Sequence, residues 1–208
     1  MTEDLRVLLS APPDAAAPRL LGCFLASDVG GRAVRVRINE VEAYKGSDDP
    51  ASHAFRGRTE RNKSMFGPPG TLYVYRSYGI HNCANAAAGP EGVGWGILIR
   101  GGDVVEGAGT VRRRRGRSDD AIAGPGKLAQ SLGIELGHDG ADLLDPGSPI
   151  RLEPGPAPEA ALSTTRVGVS KAKDLPWRFV SAASARPRAG APGPARPGAG
   201  PPPMAAGP

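Results

Sequence analysis

Val34, Val36 and Ile38 alternate with Arg35, Arg37 and Asn39, and this period of two limits the possible folds more than any other feature. Successive side chains of a strand point to opposite faces, so the run must lie in a sheet with one buried face. Thr71-Leu72-Tyr73-Val74-Tyr75 is rich in aromatic and β-branched residues and predicts a second strand. Residues 94–99 predict a third, apolar enough to be central. Pro18 precedes the apolar run at residues 20–25, which predicts a helix entering a short strand, with Gly30-Gly31 as the following turn. Residues 126–132 predict a short helix stopped at Gly133.

A chain of 208 residues suffices for one domain with a real core. From Ala185 to Pro208 it is almost entirely Ala, Pro, Gly and Arg, too poor in apolar surface to offset the entropy of ordering. The expected organisation is therefore a folded unit over residues 1–184 and a disordered tail over 185–208. The net charge is +5, from 26 basic and 21 acidic residues; without the tail's Arg186, Arg188 and Arg196 the body has 23 against 21, or +2. Any polyanion binding must then come from clustered charge. Two cysteines, Cys23 and Cys83, make no disulfide framework and no CxxC metal spacing. There is no secretory leader pattern and no run of about 18 apolar residues, so a soluble protein of a reducing cytoplasm is expected, with no membrane partner.

All four tyrosines, Tyr44, Tyr73, Tyr75 and Tyr78, lie in one short stretch with Glu42, His53, His81 and Asn85. Flat rings around one carboxylate suit a pocket that stacks on a planar ligand. Glu42 and Tyr44 share a strand face by alternation, which suits general-base chemistry on a ring-bearing substrate, although a strand-end Glu can equally face solvent. Tyr73 and Tyr75 also share a face, and they fit a core as well as a site. Tyr78 precedes Gly79 at an expected hairpin tip, where an exposed ring can act as a wedge in a DNA groove. Asp48, Asp49, His53 and His81 could be assembled into a metal set, but their spacing matches no zinc signature. Arg56, Arg58, Arg61, Lys63 and Arg100 flank the stretch and fit a phosphate backbone beside a stacked base. Arg112 to Arg115, with Arg117, reads as a solvated charged loop.

Taken in order, Asn39-Glu40-Val41-Glu42-Ala43-Tyr44, Asp49-Pro50-Ala51-Ser52-His53, Arg58-Thr59-Glu60-Arg61-Asn62 and Met65-Phe66-Gly67-Pro68-Pro69-Gly70 resemble the alkyladenine (3-methyladenine) DNA glycosylases. Tyr73-Val74-Tyr75, Tyr78-Gly79-Ile80-His81, Cys83, Asn85, Leu98-Ile99-Arg100, Gly124-Pro125-Gly126-Lys127-Leu128 and Arg166-Val167-Gly168-Val169 continue the resemblance, over roughly residues 20–179. It implies an α+β (mixed α/β) fold, a single compact domain with a curved antiparallel sheet, surrounding helices and a projecting DNA-inserting hairpin around residues 75–82. It implies a monofunctional hydrolase that flips an alkylated or deaminated purine from duplex DNA and cuts its N-glycosidic bond.

On this resemblance Glu42 is the catalytic carboxylate, and Tyr44, His53 and Tyr75 enclose the base. Asn85 and Leu98 form the discriminating wall, and Tyr78 is the wedge. Arg61, Arg100 and Lys127 contact the DNA backbone. No metal or cofactor is implied, the matched pocket holds no candidate Schiff-base lysine, so strand cleavage is not expected, and relatives act as monomers. Glu60, Arg76, Ser77 and residues 101–103 depart from the usual pattern. A non-catalytic binder of distorted DNA is the alternative. The tail's arginines would add nonspecific DNA affinity.

Overall fold

The computed structural model describes residues 4–116 and 121–184. The predicted tail and Arg117 lie outside the described residues. In chain order the elements are α1 (Leu5–Leu9), α2 (Pro13–Ala16), β1 (Phe24–Ser27), β2 (Val34–Lys45), β3 (Leu72–Ser77), β4 (His81–Ala88), β5 (Trp95–Glu106), α3 (Ala108–Arg115), β6 (Ala121–Ala123), α4 (Pro125–Leu132), β7 (Ile150–Glu153), β8 (Ala161–Thr164) and β9 (Arg178–Ser181). The strands form one open sheet in the order β3-β4-β5-β2-β1-β7, with β6 added to β5, β9 to β2 and β8 to β9. Every strand pairing is antiparallel. This is the α+β architecture expected. No helix among the described residues is long and apolar enough to cross a membrane.

One face of the sheet carries the main core. Val41, Leu72, Val74, Ile97 and Ile99 are buried there against Leu128 and Leu132 of α4. Fully burying each such side chain stabilises the fold by roughly 1.5–3 kcal/mol. α4 follows from its sequence: Pro125 opens it, where a missing N–H costs nothing, and Gly133 closes it at φ +70°.

β2 is 12 residues long, and its core face changes partway along it. Val34, Val36 and Ile38 are core residues in its first half, but Val41 and Ala43 are the core residues in its second. The register accounts for this. Ile38 pairs Gly102 and Glu40 pairs Gly101, leaving Asn39 as an extra residue; Glu40 pairs Gly101 and Val41 pairs Ile99, leaving Arg100 as an extra residue on β5. Two compensating bulges switch the parity of both strands. Gly102 is needed here because a Cβ would stand 2.3 Å from Val36 Cγ1 and 2.4 Å from the Arg37 carbonyl oxygen. The Asn39 amide is held across the strands by Asp103, Nδ2 to Oδ1 at 3.1 Å, which gives the departure at residues 101–103 a structural role.

The expected loop at Arg112 is instead the end of α3. Thr110 and Val111 are buried and anchor one side of that helix, and arginine is a good helix former. Arg114 is only partly exposed and donates to the carbonyls of Ser131 (2.9 Å) and Val29 (2.6 Å). The expected helix entering a short strand is α2 continued by a 3-10 turn, Ala17–Leu20, which leads into β1.

Candidate active site

Tyr73, Asn85, Leu98, Glu42 and Arg178 stand directly opposite one another across β3, β4, β5, β2 and β9. Directly paired residues share a face, so this row lies on the side of the sheet away from α4. One step of two along each strand adds Tyr75, Cys83, Arg100 and Tyr44. With the exception of Glu42 and Arg178, these side chains line a hollow of about 520 Å³, closed on the other side by the loop carrying Val167. That volume falls in the range of small-molecule sites.

Glu42 lies behind the lining, its side chain 0% exposed. The phenol of Tyr44 donates to Oε2 at 2.8 Å, Arg100 Nη1 donates to the same oxygen at 3.1 Å, and the Val167 amide donates to Oε1 at 2.7 Å. A buried carboxylate is tolerable because it is paired and hydrogen-bonded. Three bonds fill three of roughly four acceptor positions, so one remains for a further donor. Burial, with the carboxylate of Glu42 next to it, pushes the Tyr44 phenol far above its ordinary range, so it stays a donor. Burial opposes the charge on Arg100, but Glu42 and Glu40 outweigh it and hold the guanidinium protonated.

His53, Tyr73 and Tyr75 form an aromatic wall. The His53 and Tyr75 rings meet edge to face at 4.4 Å, and Tyr73 stacks on Tyr75 at 5.7 Å. Tyr73 Oη lies 3.1 Å from His53 Nδ1. Burial pushes the Tyr73 phenol up to about 12, while burial and then the nearby Arg61 pull the His53 imidazole below its ordinary value. Both groups are therefore neutral at pH 7. Asn85 and Leu98 are buried, and the Asn85 amide is fixed by donation to the Tyr73 carbonyl at 3.1 Å.

Beside this wall the β3–β4 hairpin projects. Ile80 N donates to Ser77 O at 3.0 Å, closing a turn whose central residues Tyr78 and Gly79 have φ +50° and +71°. A bulky residue at positive φ is strained, and Tyr78 is 90% exposed. Arg61 and Arg100 line the hollow, but Lys127 does not; it is exposed on the first turn of α4, next to the lining residue Pro125.

Several lining residues had no role in the sequence reading. Tyr73 supports His53, and its parity with Tyr75 was the available signal. Lys171 also lines the hollow, so the wall does contain a lysine. The metal reading fails on Asp49, whose carboxylate is engaged by Arg166 Nη1 and Nη2 and by the amides of Ala51 and Lys45. Among the described residues no three His, Cys, Asp or Glu side chains are grouped to hold a metal. Arg166 in turn lies over the Tyr44 ring, 4.7 Å from its centroid.

A sealed carboxylate behind an aromatic hollow, with a strained tyrosine presented on a hairpin, is the arrangement of a protein with room and stacking surface for a flat ring. Residues 7–185 match the profile of the methylpurine-DNA glycosylases. Proteins named as 3-methyladenine DNA glycosylases are similar: one from Mycobacterium tuberculosis is 48% identical over 82% of this chain and 86% of its own, and one from Nocardia farcinica 50% identical over 82% and 84%. A third, from Rhodococcus jostii, is 47% identical over 84% of this chain and 79% of its own. The chain belongs to the methylpurine-DNA glycosylase family.

Proposed function

We propose that this protein is a monofunctional base-excision-repair hydrolase in which Glu42 prepares the attacking water. Tyr78 enters the minor groove and fills the space left by a flipped purine. The base stacks between Tyr44 on one side and His53 with Tyr75 on the other. A cationic alkylated purine is favoured against these electron-rich rings. Asn85, anchored on the Tyr73 carbonyl, and Leu98 form a wall that does not yield to the exocyclic groups of normal bases. Arg61, Arg100 and Lys127 serve the phosphates, and the enzyme acts as a monomer on cytoplasmic, nucleoid DNA.

In the chemical step a water oxygen bonds to the anomeric carbon of the sugar. Its proton passes to Glu42, and the electron pair of the N-glycosidic bond leaves with the base. A methylated cationic purine departs neutral and needs no acid; hypoxanthine needs protonation of its ring. The negative charge of Glu42 also stabilises the cationic sugar that develops.

The observation that carries this reading is the threefold hydrogen-bonded, fully shielded Glu42 behind the aromatic hollow. Duplexes carrying one methylated purine, hypoxanthine or ethenoadenine test it, with hot alkali to cut abasic sites and Glu42→Gln alongside. Alkali-dependent cleavage that requires Glu42 is expected. Tight lesion binding without base release would favour a non-catalytic binder, and cleavage without alkali would implicate Lys171 in strand scission.

A further inference from the structure

Past Glu42 the paired row reaches Arg178, and two residues back along β2 stands a second acid, Glu40, paired with Gly101 and Val180; the mechanism above uses neither side chain. Glu40 is 7% exposed, and one of its oxygens, Oε1, accepts from both Arg100 Nε (2.9 Å) and Arg178 Nε (2.8 Å). Arg100 reaches on to Glu42 Oε2 at 3.1 Å. The result is a chain of alternating charge, Arg178–Glu40–Arg100–Glu42, running under the hollow. Arg178 is itself held by Thr164 Oγ1 at 3.0 Å and stands opposite Glu42 in the β2–β9 register.

We infer that Glu40 and Arg178 are positioning residues that set, through Arg100, how much negative charge Glu42 presents to the reacting sugar. This rests on Glu42 being the base. The geometry requires such a counterweight. Arg100 is an inserted residue on its strand, so its guanidinium is aimed by side-chain bonds and not by the ladder. With Glu42 as its only acid, Arg100 would close on that carboxylate and offset the charge that must both accept a proton and stabilise a cation. Glu40 divides the guanidinium between two acids, using Nε for one and Nη1 for the other. Arg178 in turn keeps Glu40 from capturing Arg100 outright.

The protonation states agree. Burial works against the charge on Glu40, but Arg178 and Arg100 outweigh it and hold the carboxyl below its usual range. The other groups facing Glu42 are the neutral Tyr44 phenol, the Val167 amide, and Arg166, which is neutralised by Asp49. Glu40 and Arg178 are thus the two charges whose removal changes the balance at Glu42 with opposite sign.

Single-turnover release of a cationic methylated purine from duplex DNA, measured across pH, tests this, because that leaving group needs no acid of its own. In Glu40→Gln the Arg100 guanidinium, freed from its second acid, closes on Glu42, so the acid limb of the rate profile moves to lower pH and the plateau falls about tenfold. Removing a cation does the reverse, so in Arg178→Gln the acid limb moves to higher pH. Lesion-duplex affinity titrated in parallel separates any change at the phosphate contact of Arg100 from the change in rate. Profiles that superimpose on wild type, or two variants that only lose rate, would overturn the inference and mark the pair as structural. If Glu40→Gln does not fold, Arg178→Gln decides alone, and an acid limb at or below the wild-type position overturns it. Glu42→Gln run in parallel separates the two levels: if it still releases base, the assignment of Glu42 fails, whatever the other variants do.

Discussion

The Tyr44 phenol donates to Glu42 Oε2 across 2.8 Å, from a residue only two places further along the same strand. One ring therefore serves twice, as a wall of the hollow and as a partner of the carboxylate. Tyr44→Phe separates the two roles. A hydrogen bond to a charged group contributes about 1.5–3 kcal/mol, so base release should fall roughly 10- to 100-fold. The ring remains, so the dissociation constant of the lesion duplex should not change. Single-turnover rates and duplex titrations of the same variant check both statements.

Arg166 and Asp49 are an ion pair with both side chains 0% exposed. Asp49→Ala leaves the guanidinium buried without its carboxylate, an arrangement that costs about 3–5 kcal/mol. Melting by calorimetry should drop on the order of 10 °C. Activity should fall as well, since Arg166 lies over the Tyr44 ring.

Tyr78 adopts φ +50° at the hairpin tip, a backbone conformation natural to glycine. Tyr78→Gly should stabilise the fold, by about 1 kcal/mol, and weaken lesion-duplex binding. A variant that melts lower, or binds the lesion as tightly as wild type, would contradict the proposed wedge.

His53 has a folded-state pKa below its unfolded value of about 6.5, from burial first and Arg61 second. The unfolded chain then binds more protons between those two values. Stability should rise with pH through that window and fall on acidification. Chemical denaturation at several pH values should give a shallower slope below pH 6.5 for His53→Gln than for wild type. An NMR titration of Arg61→Gln should place the His53 midpoint higher than in wild type.

Much of the site was legible from local pattern. A period of two puts Glu42 with Tyr44 and Tyr73 with Tyr75, and both pairs do share a face. The hairpin tip was visible in Tyr78-Gly79, and α4 in its closing glycine, Gly133. Arg112 to Arg115 misled because a dense charge run is read from its charge, whereas α3 forms on its buried Thr110 and Val111. Asp49 looked like a ligand only while Arg166, 117 residues away, was out of view.

By itself the sequence determined the strands β1, β2, β3 and β5, the side-chain pairs within β2 and β3 and, through its ordered motifs, the family. It could not determine which face of β2 those pairs would occupy. Unbroken alternation from Val34, Val36 and Ile38 puts Glu42 and Tyr44 on the core face. Only the tertiary structure places the bulges at Asn39 and Arg100 that switch the parity, because a bulge is a property of two strands in register and no single strand encodes it. The same insertion frees Arg100 from the ladder, so that its bonds to Glu40 and Glu42 hold the guanidinium between them.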